Sequence, residues 1–427
     1  MMVVSLASSA ASASDPAAVD AAATALEDEL IAWRRHFHEF PELSNREFET
    51  SAKVADHLRK LGMEVQTGIA HTGVVGILNP GKAGPVVALR ADMDGLPVTE
   101  KTGLPFASAK RATFNGTETG VMHACGHDAH VAILMATAEL LAGMRDELPG
   151  SVKFIFQPAE EGAPEGEEGG AALMLEQGVF SSPQPDVVFG LHVTSVEKAG
   201  VIAYRSGPYM ASADEFKIIV LGRQTHGAKP WQGVDPIVVS SQIIIGLQTI
   251  ASRQIDVTRA PSVISIGRIN GGIRFNIIPD SVTMVGTIRT FDEDMRADIH
   301  RRIRIMATSI AESAGATVEI SFGLGIPVVV NDPQLTERML PTLRRVAGDA
   351  QLRETGLVTW AEDFAYYAQQ KPALFFHLGV TDPSIDPAKA PANHSPLFQI
   401  DESGLIVGVR ALSQLTIDYM ETNQANH

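Results

Sequence analysis

The order of its elements constrains this chain more than any single residue does. Between residues 215 and 322 the sequence predicts a strand (215–221), a helix (235–252), two strands (262–269 and 282–290), a helix (293–314) and a strand (317–322). That β-α-β-β-α-β order is the split pattern of a compact ferredoxin-like α+β unit. The text on either side is different. Upstream, a helix runs from Asp15-Pro16 towards Phe40, and a second opens on a Ser44/Glu47 capping box and closes at Gly62. Strands follow at 73–78 and 86–90, then a long apolar helix at 129–141 and strands at 152–157 and 187–193. Downstream come helices at 333–346 and 362–369, a strand at 374–378 and a closing helix from Ser403. Strands alternating with helices specify an α/β domain with a largely buried sheet. One host domain interrupted by an insert explains this order better than two domains in tandem. The reading is a disordered leader at 1–14, a discontinuous α/β domain at 15–204 and 326–427, and an inserted domain at 205–325. Chemistry is expected where insert meets host, because binding sites favour domain interfaces.

Charge and composition narrow the function. Lys plus Arg number 34 against 50 Asp plus Glu, a net charge of −16, which opposes binding to nucleic acid or anionic lipid. No run of 18 apolar residues is present, so no membrane-spanning helix is expected. The Ser/Ala-rich start lacks a basic region, so a cytoplasmic protein is expected, with export through a weak N-terminal signal as the minor alternative. The single cysteine, Cys125, excludes an intrachain disulfide.

That cysteine lies in the densest chemical constellation of the chain, Met122-His123-Ala124-Cys125-Gly126-His127-Asp128-Ala129-His130, at the start of a predicted helix. Thiolate and imidazole suit zinc and similar divalent ions, and Cys125 and His127 are close enough to converge at a turn. An apolar strand ending in Gln157-Pro158-Ala159-Glu160-Glu161 brings two carboxylates to the carboxyl edge of a sheet, where ligands bind. Adjacent side chains point apart, so one glutamate can ligate a metal while the other accepts a proton. His192 ends another apolar strand, and His394 stands in a Pro-rich loop. Within the insert, His226, Asn276 and Arg289 each follow or end a strand. They are either ordinary turn and surface residues or polar tips presented on one edge. Gly76 to Ala83 imitates a phosphate-binding loop, but Ala83 replaces the magnesium-binding hydroxyl and Pro85 precludes the helix that must follow.

Taken together, Leu89-Arg-Ala-Asp-Met-Asp-Gly-Leu-Pro97, the His123–Asp128 cluster, Gln157-Pro-Ala-Glu-Glu161, Gly190-Leu-His-Val193, His226-Gly-Ala-Lys-Pro230, Asn276-Ile-Ile-Pro279, Glu362-Asp-Phe364 and Asn393-His-Ser395 resemble the M20 metallopeptidases. The likeness is to their branch of aminoacylases, hippurate hydrolases and indoleacetyl-amino-acid amidohydrolases, and it runs from about Ala32 to Ala411. It implies a catalytic α/β domain with a mixed sheet, an inserted lid that also forms a homodimer or higher oligomer, and two divalent ions (zinc, manganese or cobalt). Carried over by position, the metal ligands are Cys125, His127, Glu161, His192 and His394, and Glu160 is the general base. His226, supplied by the partner subunit, would stabilise the negative intermediate, and Asn276 and Arg289 would hold the substrate's α-carboxylate. Asp92, Asp94, Glu100, His123 and Asp128 would support the ligands. The substrate implied is a small N-acyl or N-aroyl amino acid, with a dipeptidase or carboxypeptidase as the alternative. The acidic stretch 163–168 departs from the family pattern.

Overall fold

The computed structural model describes residues 15–423. The predicted leader lies outside them. The described chain divides into two compact units. The first is built from the residues up to Gly207, from Asn331–Thr355 and from Tyr366 onward. The second holds Pro208–Val330 and also Gly356–Ala365. The insert is therefore not one continuous stretch, because a short downstream segment returns to it: the Ala211 and Val358 N–H groups bond to the Val358 and Tyr209 carbonyls.

The first unit is organised on an eight-stranded mixed sheet. Three adjacent central strands, Ser151–Gln157, Val86–Asp92 and Val187–Lys198, run parallel, and Ala373–Thr381 continues parallel beside the last. Gly73–Leu78 and Ser151–Gln157 are buried along their whole length, as expected of strands covered on both faces. Helix His127–Gly143 is mostly apolar beyond its first turn and buried through nearly all its turns. It packs against helices Glu27–Glu39 and Leu405–Asn423. Burial of each large apolar side chain in this layer contributes about 2 kcal/mol. No helix of the described residues is long and apolar enough to cross a membrane.

The second unit has a four-stranded antiparallel sheet in which Ser281–Thr290 pairs with Ser262–Gly271 on one side and Ala213–Leu221 on the other, with Thr317–Ile326 beyond the latter. Helices Pro236–Thr249 and Glu293–Ser313 pack together over it. The Ser281–Thr290 strand alternates strictly between half-buried and buried residues, the period-2 signature of a sheet covered on one face. Asp235 accepts the Ile237 and Val238 N–H groups and Asp292 accepts that of Met295, so both helices start on a carboxylate cap.

Two local expectations fail for physical reasons. The first predicted helix is two, Pro16–Ala25 and Glu27–Glu39, divided at Leu26. The Ser44/Glu47 capping box does not form, and helix Phe48–Lys60 begins without a side-chain cap. Ser44 instead donates to Asp94, and Glu47 accepts from Thr72 and from the Ala159 N–H. Tertiary partners outcompete the helix end for both side chains.

Candidate metal centre

The centre is assembled at the carboxyl ends of the three central parallel strands. Asp92 and Gln157 lie side by side in register, so Asp94 and the Glu160–Glu161 pair leave the sheet together. His192 sits on the neighbouring strand opposite His377. The loop carrying Cys125 enters helix His127–Gly143 through Gly126, whose φ of 103° is left-handed. A Cβ there would come within 2.3 Å of Val193 Cγ2, so glycine alone allows the loop to lie on the His192 strand. Asn393 fixes the third approach. Its amide donates to the Cys125 and Val193 carbonyls, its oxygen accepts the Ser195 N–H, and the His394 N–H donates to the Ala124 carbonyl at 2.7 Å.

The five side chains expected to ligate metal converge. Cys125 Sγ lies 3.3 Å from His192 Nε2 and 3.2 Å from His394 Nε2, and His394 Nε2 lies 3.0 Å from Glu161 Oε1. His127 Nε2 lies 3.8 Å from Glu160 Oε2 and 4.0 Å from Glu161 Oε1. Donor atoms of Cys125, His127 and His192 form one close group, and those of Cys125, Glu161 and His394 form another. Cys125 belongs to both.

The tautomers and charges fit cations. His192 Nδ1 is 2.7 Å from the Val193 carbonyl, so it carries the proton and leaves the Nε2 lone pair facing Cys125. His127 Nδ1 bonds Asp94, and its buried Nε2 has no hydrogen-bond partner. Burial opposes charge on His127, yet Asp92, Asp94 and Glu161 push its pKa up to about 10. Burial, reinforced by Glu161 and Glu160, holds the Cys125 thiol well above its ordinary value. Such a pocket is short of positive charge, and a divalent ion supplies it while keeping both imidazoles neutral.

Of the residues expected to support the ligands, Asp92, Asp128 and Glu100 lie in two buried networks. In the first, His130 Nδ1 is 2.6 Å from Asp92, its Nε2 accepts the Val193 N–H, and Asp92 is paired with Arg90. This network locks the strand position next to His192. In the second, Asp128 accepts from Arg34 and His38, whose other ring nitrogen faces Glu100, and this holds the first turn after His127. Burial opposes charge on His38, but bonds to Asp128 and Glu100 raise its pKa. His123 is buried with both ring nitrogens unpartnered and takes part in neither network. Asp94 has the widest role, bonding His127, the Ser44 hydroxyl and the Glu160 and Glu161 N–H groups. Sequence reading assigned Asp94 a supporting role but gave none to Asn393 or Glu47. The signal for all three is long-range pairing, which spacing along the chain does not carry.

The three residues singled out in the insert lie in the second unit, but not on one edge. Thr225–His226 pairs with Ile277–Ile278 and the Gly227 N–H bonds the Asn276 carbonyl, so His226 and Asn276 are neighbours. His226 Nδ1 accepts the Ala228 N–H, which leaves Nε2 as the donor. Asn276 Oδ1 is buried without a partner. Arg289 is near the other end of strand Ser281–Thr290, opposite Val263. Ser281 and Arg289 stand eight steps apart along the strand, a span of about 26 Å. The alternative in which all three present polar tips on one edge fails, because the two sites flank the same strand at its two ends. The Arg289 guanidinium is half-buried and among the described residues makes no ion pair; burial lowers its pKa.

Comparison with known proteins agrees with this geometry. Residues 88–418 match the model of Peptidase family M20/M25/M40. The chain is 43% identical to Thermostable carboxypeptidase 1 of Saccharolobus solfataricus, over 92% of this chain and 96% of that one. It is 37% identical to N-acetyl-L-cysteine deacetylase of Bacillus subtilis, over 93% and 90%. Among solved structures it resembles a Bacillus subtilis protein described as a dinuclear metal binding peptidase from M20 family. There the TM-score is 0.77 at 36% identity, covering 93% of this chain and 99% of that one. The chain belongs to Peptidase family M20/M25/M40 and is, as such, a metal-dependent hydrolase of amide bonds.

Proposed function

We propose that the protein hydrolyses N-acyl or N-aroyl amino acids to a carboxylic acid and a free amino acid. In this reading Cys125, His127, Glu161, His192 and His394 hold two divalent ions and Glu160 moves the proton. The observation that carries it is the double donor group sharing Cys125, with a second carboxylate, Glu160, adjacent to the ligand Glu161. Bound divalent ions supply Lewis acidity and lower the pKa of water. Glu160 takes the proton of the attacking water and returns it to the departing nitrogen. His226, with Nε2 as its donor, serves the oxygen on which negative charge develops.

Arg289 suits the α-carboxylate of the amino-acid half, because a half-buried guanidinium without an ion pair gains from a bidentate anion. Arg289→Ala is expected to raise KM for an N-acyl amino acid by about 10- to 100-fold, the worth of a charged hydrogen bond. The same variant should leave KM for the corresponding amino-acid amide nearly unchanged, since that substrate lacks the carboxylate. Equal effects on both substrates would remove Arg289 as the clamp.

The separation of His226 from Arg289 within one chain favours a homodimer in which each site combines residues of both subunits. Mixing Glu160→Gln and His226→Ala proteins then creates mixed dimers with one intact site. Refolded together, the two variants should recover about a quarter of wild-type activity by random pairing. No recovery, with mixed dimers shown to be present, would place His226 in its own subunit's site.

A second reading, peptide carboxypeptidase, is favoured by the 43% identity to the Saccharolobus carboxypeptidase. Hippurate, N-acetyl amino acids, dipeptides and N-blocked peptides, assayed with zinc, manganese and cobalt, separate the two. The first reading expects acyl amino acids to have the highest kcat/KM, and it fails if peptides exceed them.

A further inference from the structure

Three consecutive backbone N–H groups fix the turn that carries Glu160 and Glu161. The Ala159 N–H donates to Glu47 Oε1 at 3.0 Å, and those of Glu160 and Glu161 donate to Asp94 Oδ1 and Oδ2 at 3.1 Å each. Ala159 adopts φ 53°, a left-handed conformation that costs a non-glycine residue about 1–2 kcal/mol unless its surroundings fix it. Glu47 is fully buried, and its other oxygen accepts from Thr72, which follows two more left-handed residues, Ala70 and His71. The same stretch grips the far side of the glutamate loop. Asn45 donates to Glu167 and to the Glu168 carbonyl, Arg46 pairs with Glu167, and His71 Nε2 lies 3.0 Å from the Glu168 carbonyl. Of the six non-glycine residues with positive φ among the described residues, four (Asn45, His71, Asn115 and Ala159) lie in this loop or bond to it, Asn115 through the Glu165 N–H. Strain gathered around one short loop indicates that its shape is held for a purpose.

We propose that Glu47 is a positioning residue of the hydrolytic centre. By taking the Ala159 N–H it fixes the left-handed turn from which Glu160 is directed to the proton-transfer position and Glu161 to the metal. Glu47 itself touches neither substrate nor ion. The proposal rests on the roles given above to Glu160 and Glu161.

Two substitutions separate the acceptor from the acid. Glu47→Gln keeps an acceptor for Ala159 and removes the ionisable group; Glu47→Asp keeps the carboxyl and withdraws it by one methylene. A catalytic group misplaced by about 1 Å loses up to about 100-fold in rate. Glu47→Asp is therefore expected to lower kcat about 30-fold with KM within threefold, whereas Glu47→Gln stays within threefold of wild type in both. Metal affinity, measured by competition titration of the apoprotein, should fall about tenfold in Glu47→Asp and stay unchanged in Glu47→Gln, as for other supports of a ligand. The reverse order of the two variants, or a fall in melting temperature with kcat and metal affinity intact in Glu47→Asp, overturns the proposal. Failure of the underlying reading shows elsewhere, as full activity in Glu160→Gln.

Discussion

Glu160→Gln is expected to lower kcat by about three orders of magnitude while two metal ions per chain remain bound, the middle of the range for losing a general base. The substitution changes little else. The residue's N–H still donates to Asp94, and its side chain keeps its size beside His127. Only the basic oxygen is lost, so KM should move by less than threefold, the pattern of an interaction made in the transition state alone. The measurement is kcat and KM alongside metal analysis of the purified variant. It also decides between two assignments, because Glu160 and Glu161 both have an oxygen close to His127 Nε2. If activity falls only as metal is lost, and excess metal restores it, Glu160 is a ligand. If more than a tenth of kcat survives with metal bound, another group moves the proton.

How much of this was legible beforehand follows from the range over which each residue acts. The insert could be read because its elements announce themselves locally, through the alternation of Ser281–Thr290 and the carboxylate caps at Asp235 and Asp292. The positions of Cys125, His127, Glu160 and Glu161 at strand and helix ends were legible for the same reason, whereas His192, expected to end a strand, lies in the middle of Val187–Lys198. Ser44 and Glu47 were misread because a capping box is a local pattern, while their actual partners, Asp94, Thr72 and Ala159, are 25 or more residues away. The return of residues 356–365 to the second unit rests on bonds to Tyr209 and Ala211, which no periodicity records. Arg289 was grouped with His226 and Asn276 because all three end or follow strands. A strand has two ends, and only its pairing register says which one a residue occupies.

Cys125→Ala is expected to abolish turnover at ordinary metal concentrations, because the deleted atom belongs to both donor groups. Loss of a supporting residue already weakens metal binding about 10- to 100-fold, so deletion of a ligand should exceed that. The stability of the whole unit should follow. An ion present at about a thousand times its dissociation constant contributes about 4 kcal/mol to the folded state, so chelation of the wild type and the Cys125→Ala change should lower the melting temperature together. The sign of the pH dependence is also fixed. Burial and the neighbouring Glu161 and Glu160 hold the metal-free thiol well above its ordinary pKa, so it is protonated at neutral pH and metal binding displaces its one proton. Apparent metal affinity of the wild type should therefore rise with pH; the thiol contributes up to about tenfold per unit beyond the proton displaced from His127, and the thiol's part of the slope should vanish in Cys125→Ala. Cys125→Asp restores an anionic oxygen ligand and should recover metal binding with a shallower slope near neutrality, since a carboxylate is already ionised there. Competition titrations of the three proteins between pH 6 and 8 decide it. Equal affinities and equal slopes in wild type and Cys125→Ala would remove the thiolate from the centre and leave His127, His192, Glu161 and His394 to hold the ions.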